Sequence, residues 1–308
     1  MKAIMYHYVR EYDPDLPNFR FLDIANFRKQ LDHFEAEHGF VTHEEWTRYS
    51  RDGDLPEQPG KVVLTFDDAM RCHYTHVFPE LRRRNLWGIF YAPGKPYREA
   101  DLLDVHKIHL LCGAFDGERL LAIADDMVTP EMVPDAKRKE FRERTYTRQI
   151  NQAGVSEFKR LMNYFIDYET RSEILQRIAE KLGFGFESER FYVSLPELAE
   201  MRDAGMVIGS HSMSHPVMSK LTGPEQRAEI RDSFAVLSSV IDPAERTYCH
   251  PYGGFHSFDE NTLGALAQMD VAYAFNVDPR DIEPDDWLAS KFHLPRYDCN
   301  MFPHGKAS

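Results

Sequence analysis

Three short runs of apolar, β-prone residues constrain the fold of this chain most. Residues 61–66 read Lys-Val-Val-Leu-Thr-Phe and run straight into Asp67-Asp68. Residues 86–92 (Leu-Trp-Gly-Ile-Phe-Tyr-Ala) stop at Pro93-Gly94, and residues 206–209 (Met-Val-Ile-Gly) stop at Ser210-His211. These runs are continuous rather than alternating, so each fits a strand covered on both faces. A strand that starts at once at the N-terminus is expected as well, with others at 246–249, 271–276 and 291–296. Amphipathic segments lie between them. Residues 24–37 place Phe27, Leu31 and Phe34 on one helical face, with Gly39 as a stop. Ser194-x-x-Glu197 and Thr222-x-x-Glu225 read as capping boxes, in which hydroxyl and carboxylate satisfy the free N–H groups of a helix start. The first of these helices is expected to end at Gly205; the second turns Ile230, Phe234 and Leu237 inward. Such strand–helix alternation specifies a parallel sheet, open or closed into a barrel.

Residues ~100–190 break this rhythm and carry little strand signal. Phe158, Leu161, Met162 and Phe165 share a helical face. Thr170-x-x-Glu173 is expected to cap a further helix with Ile174, Ile178 and Leu182 inside and Gly183 at its end. The chain of 308 residues therefore reads as one domain over 1–308, with a mostly helical insertion at about 100–190 that shapes a substrate pocket or an oligomer contact.

Composition narrows the partners. Apolar residues make up 43% and charged residues 28%, a globular balance. The net charge of −13 disfavours nucleic acid, which selects clustered Lys and Arg. No run of ~18 apolar residues is present for a membrane span. The opening Met-Lys-Ala-Ile-Met-Tyr-His is too short and polar for a signal h-region, so a cytoplasmic chain is the expectation. Cys72, Cys112, Cys249 and Cys299 include no Cys-x-x-Cys pair, so they read as free thiols.

Acidic and imidazole groups gather at the expected strand ends, where α/β folds place their sites. Asp67 and Asp68 are adjacent; on extended backbone their side chains point to opposite sides and can hold different jobs. His211 and His215 are four apart and share a face if that segment is helical. Asp68, His211 and His215 together supply one oxygen and two nitrogen ligands, leaving an open position as in catalytic zinc sites. Non-haem iron uses the same donor set. A third cluster, Cys249-His250-Pro251-Tyr252-Gly253-Gly254, offers glycines that let backbone approach a ligand.

Leu-Thr-Phe-Asp67-Asp68-Ala, His211-Ser-Met-Ser-His215-Pro and Pro251-Tyr252-Gly253, in this order, resemble the motifs of the polysaccharide deacetylases (NodB-homology, carbohydrate esterase family 4). The opening Tyr6-His7-Tyr-Val is similar to the start of many members. The resemblance implies a distorted (β/α) barrel of about seven parallel strands, with the 100–190 region outside the core pattern. It implies one divalent ion, usually zinc and in some members cobalt or another divalent ion, on Asp68, His211 and His215, with Asp67 as general base. Pro251, Tyr252 and Gly253 would face the substrate, the Tyr252 N–H stabilising the oxyanion, and His7 would join them. The activity implied is removal of an N-acetyl group from an amino sugar or sugar precursor; the lack of a secretion signal then favours a nucleotide- or lipid-linked sugar made for a surface polysaccharide over the finished polymer. Hydrolysis of a formamide or cyclic imide at the same site, and a non-catalytic carbohydrate-binding or regulatory protein on this scaffold, are the alternatives.

Three departures from the family pattern bear on these roles. Ala69 stands where the first motif usually ends in Gly, a change of one methyl group expected to matter little. Cys249 stands where the third motif often has the Arg that tethers the base; Arg296, in Leu-Pro-Arg at the last expected strand, is the substitute. The general acid, a C-terminal His in many members, falls on His293, with His106, His109 and His7 as rivals. Glu283, Asp285 and Asp286 before Trp287 read as an acidic solvated turn.

Overall fold

The computed structural model describes residues 1–134, 138–146, 152–187 and 191–307. These divide into two compact units, one of residues 1–11, 21–100 and 189–308, the other of residues 12–20 and 101–188.

The first unit is built on a sheet of seven parallel strands. The strands are β1 (Lys2–Tyr6), β4 (Val62–Asp67), β5 (Ile89–Ala92), β6 (Val207–Ser210), β7 (Thr247–Cys249), β8 (Tyr273–Phe275) and β9 (Tyr297–Asp298). Two two-residue strands, β2 (Val9–Arg10) and β3 (Leu22–Asp23), pair separately. The sheet order is β8-β7-β6-β5-β4-β1-β9. Its two edges are joined by one stretch of chain. Leu294 bridges Phe275 in parallel, Asn276 N–H donates to the Leu294 carbonyl, and three residues later Tyr297 pairs with Ile4 of β1. The sheet thus closes into a distorted (β/α) barrel. The strand expected at 291–296 is this closing stretch; its regular ladder forms at Tyr297–Asp298, just beyond.

Side chains alternate across the barrel wall as the period-two geometry of strands requires. Ile4, Tyr6, Leu64, Phe66, Phe90, Ile208, Tyr248 and Ala274 join the helices of the outer layer in one apolar cluster. Ala3, Val63, Ile89, Tyr91, Val207, Cys249, Tyr273, Phe275 and Leu294 form a second, inner cluster. The helix His43–Asp52 adds Trp46 to this inner cluster, and its indole N–H donates to Tyr273 Oη at 2.9 Å. Gly209 is needed on the inner face of β6: a Cβ there would lie 2.5 Å from the Tyr91 ring. Both capping boxes form as expected, on Leu195–Asp203 and Gly223–Val236. The helix Ile24–Glu37 buries Phe27, Leu31 and Phe34.

The described elements of the second unit are all helical: Asp104–Ala114, Gly117–Asp125, Pro130–Met132, Arg138–Arg144, Val155–Arg160, Leu161–Phe165 and Tyr168–Leu182. Phe158, Met162, Ile174 and Ile178 sit in its core. The last helix starts earlier than expected. Asp167 is its cap, accepting the Thr170 N–H at 2.9 Å and the Thr170 hydroxyl at 3.0 Å. Thr170 is thus the third helical residue rather than the cap; a carboxylate before it satisfies the free N–H and faces the positive end of the helix dipole. Among the described residues no helix is long and apolar enough to cross a membrane.

Candidate active site

The inner file of β4 runs Val63, Thr65, Asp67, so the barrel wall aims the last carboxylate into the mouth of the barrel. There the guanidinium of Arg296 meets it with two parallel bonds: Nη1 to Oδ1 at 2.8 Å and Nη2 to Oδ2 at 2.9 Å. Arg296 also donates to Thr65 Oγ1 and the Asn276 carbonyl. Arg296 is 1% exposed and Asp67 2%. Burial raises the Asp67 pKa, but the Arg296 charge and hydrogen bonds, with the nearby His211 and His7, together outweigh it and hold the carboxyl below its ordinary range. The guanidinium beside Asp67 thus arrives from the barrel-closing stretch, not from the position of Cys249.

Cys249 lies between these groups, its Sγ 3.0 Å from Arg296 Nη2 and 3.6 Å from Asp67 Oδ2. Burial pushes its thiol pKa well up, so it stays protonated. Asp67, His211 and Cys249 are close enough to hold an ion. The Arg296 cation on Asp67 and the neutral thiol count against a metal there.

Asp68 does not continue the extended backbone. Its φ is +78°, and that of Ala69 is +48°. The expectation that the two aspartates diverge by strand alternation is thus corrected: a left-handed turn swings Asp68 toward β6. The methyl of Ala69 also matters more than expected, because this φ favours Gly and costs an L residue ~1–2 kcal/mol. The turn is held by a passing segment, with Val193 N–H donating to the Ala69 carbonyl and Arg71 N–H to that of Phe191.

Asp68 Oδ1 lies 3.6 Å from Nε2 of both His211 and His215. All three side chains are buried, and their ligand atoms fall within 4.8 Å of one another. Two donors ~2.0–2.1 Å from a tetrahedral ion sit about 3.3 Å apart, so the two Asp68–histidine spacings are within a few tenths of an ångström of that value. The tautomer fits too. His211 Nδ1 donates to the Cys249 carbonyl at 2.8 Å, which leaves Nε2 with its lone pair toward Asp68. Burial lowers the His211 pKa, favouring the neutral, ligating form.

The two histidines do not share a helical face. Ser212 and His215 both have positive φ, +65° and +57°, and the loop folds back on itself. Ser212 Oγ accepts the His215 N–H at 3.0 Å. Glu229, on the helix Gly223–Val236, holds the middle of the loop: one oxygen accepts the N–H groups of Met213 and Ser214, the other the Ser214 hydroxyl at 2.6 Å. No motif pointed to Glu229.

The third motif completes the rim. Tyr252 has φ +62° and Gly253 φ +69°. A Cβ on Gly253 would lie 2.3 Å from Val277 Cγ2, so this loop requires glycine. Pro251 is buried beneath the loop. The Tyr252 ring packs edge-on to His215 at 4.9 Å, beside the His211 and Asp68 donors.

The candidate acids lie on different elements. His7 Nε2 lies 4.0 Å from Asp67 Oδ2. Its carbonyl accepts a bond from His73 Nε2 at 2.7 Å, a contact the sequence did not suggest. His293 packs against Phe258 (6.1 Å, stacked) and Phe255 (5.7 Å), with Phe258 in the outer cluster. His106 and His109 belong to the helical unit, on Asp104–Ala114. The acidic turn before Trp287 is only partly solvated: Asp286 is buried and takes two bonds from Arg280, both 2.7 Å. A neighbouring guanidinium, absent from the local pattern, explains the difference.

Comparison with known proteins bears on what such a site does. Residues 175–274 match the family model for polysaccharide deacetylase. A curated relative, the peptidoglycan-N-acetylmuramic acid deacetylase PdaC of Bacillus subtilis, is 31% identical over 90 residues. That match covers 29% of this chain and 17% of the relative's length. The Streptococcus pyogenes deacetylase PplD, solved with acetate, superposes with a TM-score of 0.58 at 15% identity, over 99% of this chain and 95% of its own. The BpsB deacetylase domain from Bordetella bronchiseptica gives 0.53 at 14% identity, over 96% and 94%. At these identities the structural likeness is one of fold. In the sequence of residues 175–274 and in fold along nearly its whole length, the family this chain resembles is that of the polysaccharide deacetylases.

Proposed function

We propose that the chain is a metal-dependent N-deacetylase that removes the acetyl group from an N-acetylated amino sugar. One observation carries this reading: two adjacent buried carboxylates are held for different work, Asp67 by Arg296 and Asp68 beside two imidazoles. Asp68, His211 and His215 would hold a divalent ion, with zinc the first choice and cobalt the second. The chemistry that group supplies when bound is Lewis acidity and a water pKa lowered to ~7.

The chain's own residues do the rest. Asp67, kept ionised by Arg296, takes a proton from the attacking water. The bidentate grip fixes where its oxygens point, so the proton is taken along one direction. The Tyr252 N–H donates to the oxygen that becomes negative as the acetyl carbon turns tetrahedral. Pro251 and Gly253 set that N–H by shaping the loop, and Glu229 keeps His215 in place. Collapse of the tetrahedral carbon releases acetate and the sugar amine. The sugar is a unit of a surface polysaccharide or its nucleotide- or lipid-linked precursor, and both forms enter the test. Acetate release is measured from N-acetylated chito-oligosaccharides and from UDP-N-acetylglucosamine, with zinc or cobalt present. Release that disappears in Asp67→Asn supports the reading; none from either substrate class, with metal bound, overturns it.

A further inference from the structure

We propose that a basic pocket on the outer helices of the first unit binds a phosphate group, independently of the deacetylase reading above. The pocket has a volume of about 410 Å³ and is lined by Arg28, Thr75, His76, Pro79, Glu80 and Arg83. Three elements build it. Arg28 comes from the helix Ile24–Glu37, Thr75 and His76 from the π-helical turn His73–Val77, and the rest from the helix Phe78–Arg83. A π-helical turn is a local irregularity often found at functional sites. None of the lining residues belongs to the group gathered around Asp67 and Asp68.

Glu80 organises the pocket. It is 4% exposed and accepts bonds from three guanidinium groups: Arg28 through Nε, Arg83 through Nε and Nη2, and Arg84 through Nε. Burial raises its pKa, but the bonds and charges of Arg83 and Arg84 outweigh this and bring it down to about 2, so it stays ionised. Arg84 is largely covered and has a second carboxylate, Asp32, at 2.6 Å. Arg28 and Arg83 differ. Their side chains are 54% and 62% exposed. Among the described residues, neither Nη of Arg28 and not Nη1 of Arg83 makes a hydrogen bond. The buried carboxylate thus anchors two guanidinium groups from different helices and leaves outer N–H groups of each unspent.

Charge and shape decide the ligand class. Two cations share one carboxylate here, so the pocket keeps a positive excess on a chain whose net charge is −13. A carboxylate has two oxygens, and one guanidinium fork saturates it. Two forks on separate elements, with the His76 imidazole beside them, suit an anion with three or four oxygens, and planar forks match phosphate geometry. Inorganic phosphate fills only part of this volume, which leaves room for what a phosphate is attached to. The group can therefore come as free phosphate, as the diphosphate of a nucleotide-linked sugar or as a phosphodiester within a polymer.

The test is calorimetric titration of the chain with inorganic phosphate, UDP and glycerophosphoglycerol, and with acetate as the carboxylate control, at constant ionic strength. Arg28→Gln, Arg83→Gln and Arg82→Gln are compared. Arg82 lies on the same helix and lines no part of the pocket, so its variant makes the same charge change outside it. Both pocket arginines are well exposed and Arg84 remains on Glu80, so these variants keep the fold. The expected result is saturable phosphate binding, weakened about 10-fold or more by each pocket variant and by less than about 2-fold by Arg82→Gln, with acetate far weaker. Which phosphate binds tightest then names the source. Phosphate binding that neither pocket variant weakens lies elsewhere and overturns the proposal. So do equal losses in all three variants, acetate binding as tight as phosphate, and no saturable binding of any phosphate.

Discussion

Arg296 grips both oxygens of Asp67, although 229 residues separate them in the chain. The contact exists because the stretch that closes the barrel carries an arginine on its inward face, opposite the end of β4. In this site the motif that usually supplies the cation carries Cys249, and the charge enters from the other side of the barrel mouth.

Removing that charge tests the arrangement. Arg296→Met should lower turnover by about 100-fold or more, because a misdirected base loses most of general-base catalysis. Zinc content should not change, since Arg296 touches none of Asp68, His211 and His215. Arg296→Lys should rescue little, because a point charge cannot make the two parallel bonds. Kinetics beside metal analysis decide it, and equal loss of both would contradict the account.

Glu229 tests the loop behind the metal ligands. Glu229→Ala removes the acceptor for Met213 N–H, Ser214 N–H and the Ser214 hydroxyl. Supporting groups of this kind typically cost ~10–100-fold in metal affinity. A zinc competition titration should show a loss in that range, and an unchanged affinity would mean that the His211–His215 turn holds itself.

Glycine requirements separate strained from unstrained positions. Gly253→Ala forces a Cβ against Val277 at positive φ and should cost about 1–3 kcal/mol. Gly264→Ala, in the helix Glu260–Gln268 with open space around it, should instead stabilise by roughly 0.5–1 kcal/mol. Urea denaturation midpoints of the two variants should move in opposite directions.

Acid should weaken the fold through two buried histidines. Burial lowers the pKa of His73 to about 4 and that of His250 to about 3, from 6.5. Unfolded, each binds a proton below about 6.5; folded, each resists it until the lower value. Unfolding therefore takes up protons between roughly pH 4 and 6, and stability falls with pH there by about 1.4 kcal/mol per unit for each histidine. His250→Gln should flatten the slope by one such increment; an unchanged slope would contradict the burial.

The parts of this site legible in the sequence were those fixed by strand ends. Asp67, Asp68, His211 and Tyr252 each follow a continuous apolar run or its turn, and the barrel carries them to one mouth. Backbone conformation was less visible. The left-handed turns at Asp68, Ala69, Ser212 and His215 fall on residues other than glycine, so no glycine marks them, and strand alternation and helical spacing misdescribed how the ligands converge. Partners brought by distant chain were invisible for the same reason. Glu229 reads as one more charge on an amphipathic helix and His73 as a residue after a turn; even Arg280, only six residues before Asp286, does not announce its two bonds to that carboxylate. Arg296 was reached only because the missing motif arginine left a charge to be supplied.

The most direct test of the central claim is the metal content of the purified chain beside Asp68→Ala and His215→Ala. The account predicts about one divalent ion per chain, as in mononuclear catalytic sites, lost in both variants. A chain that takes up no ion after dialysis against zinc and against cobalt would contradict it.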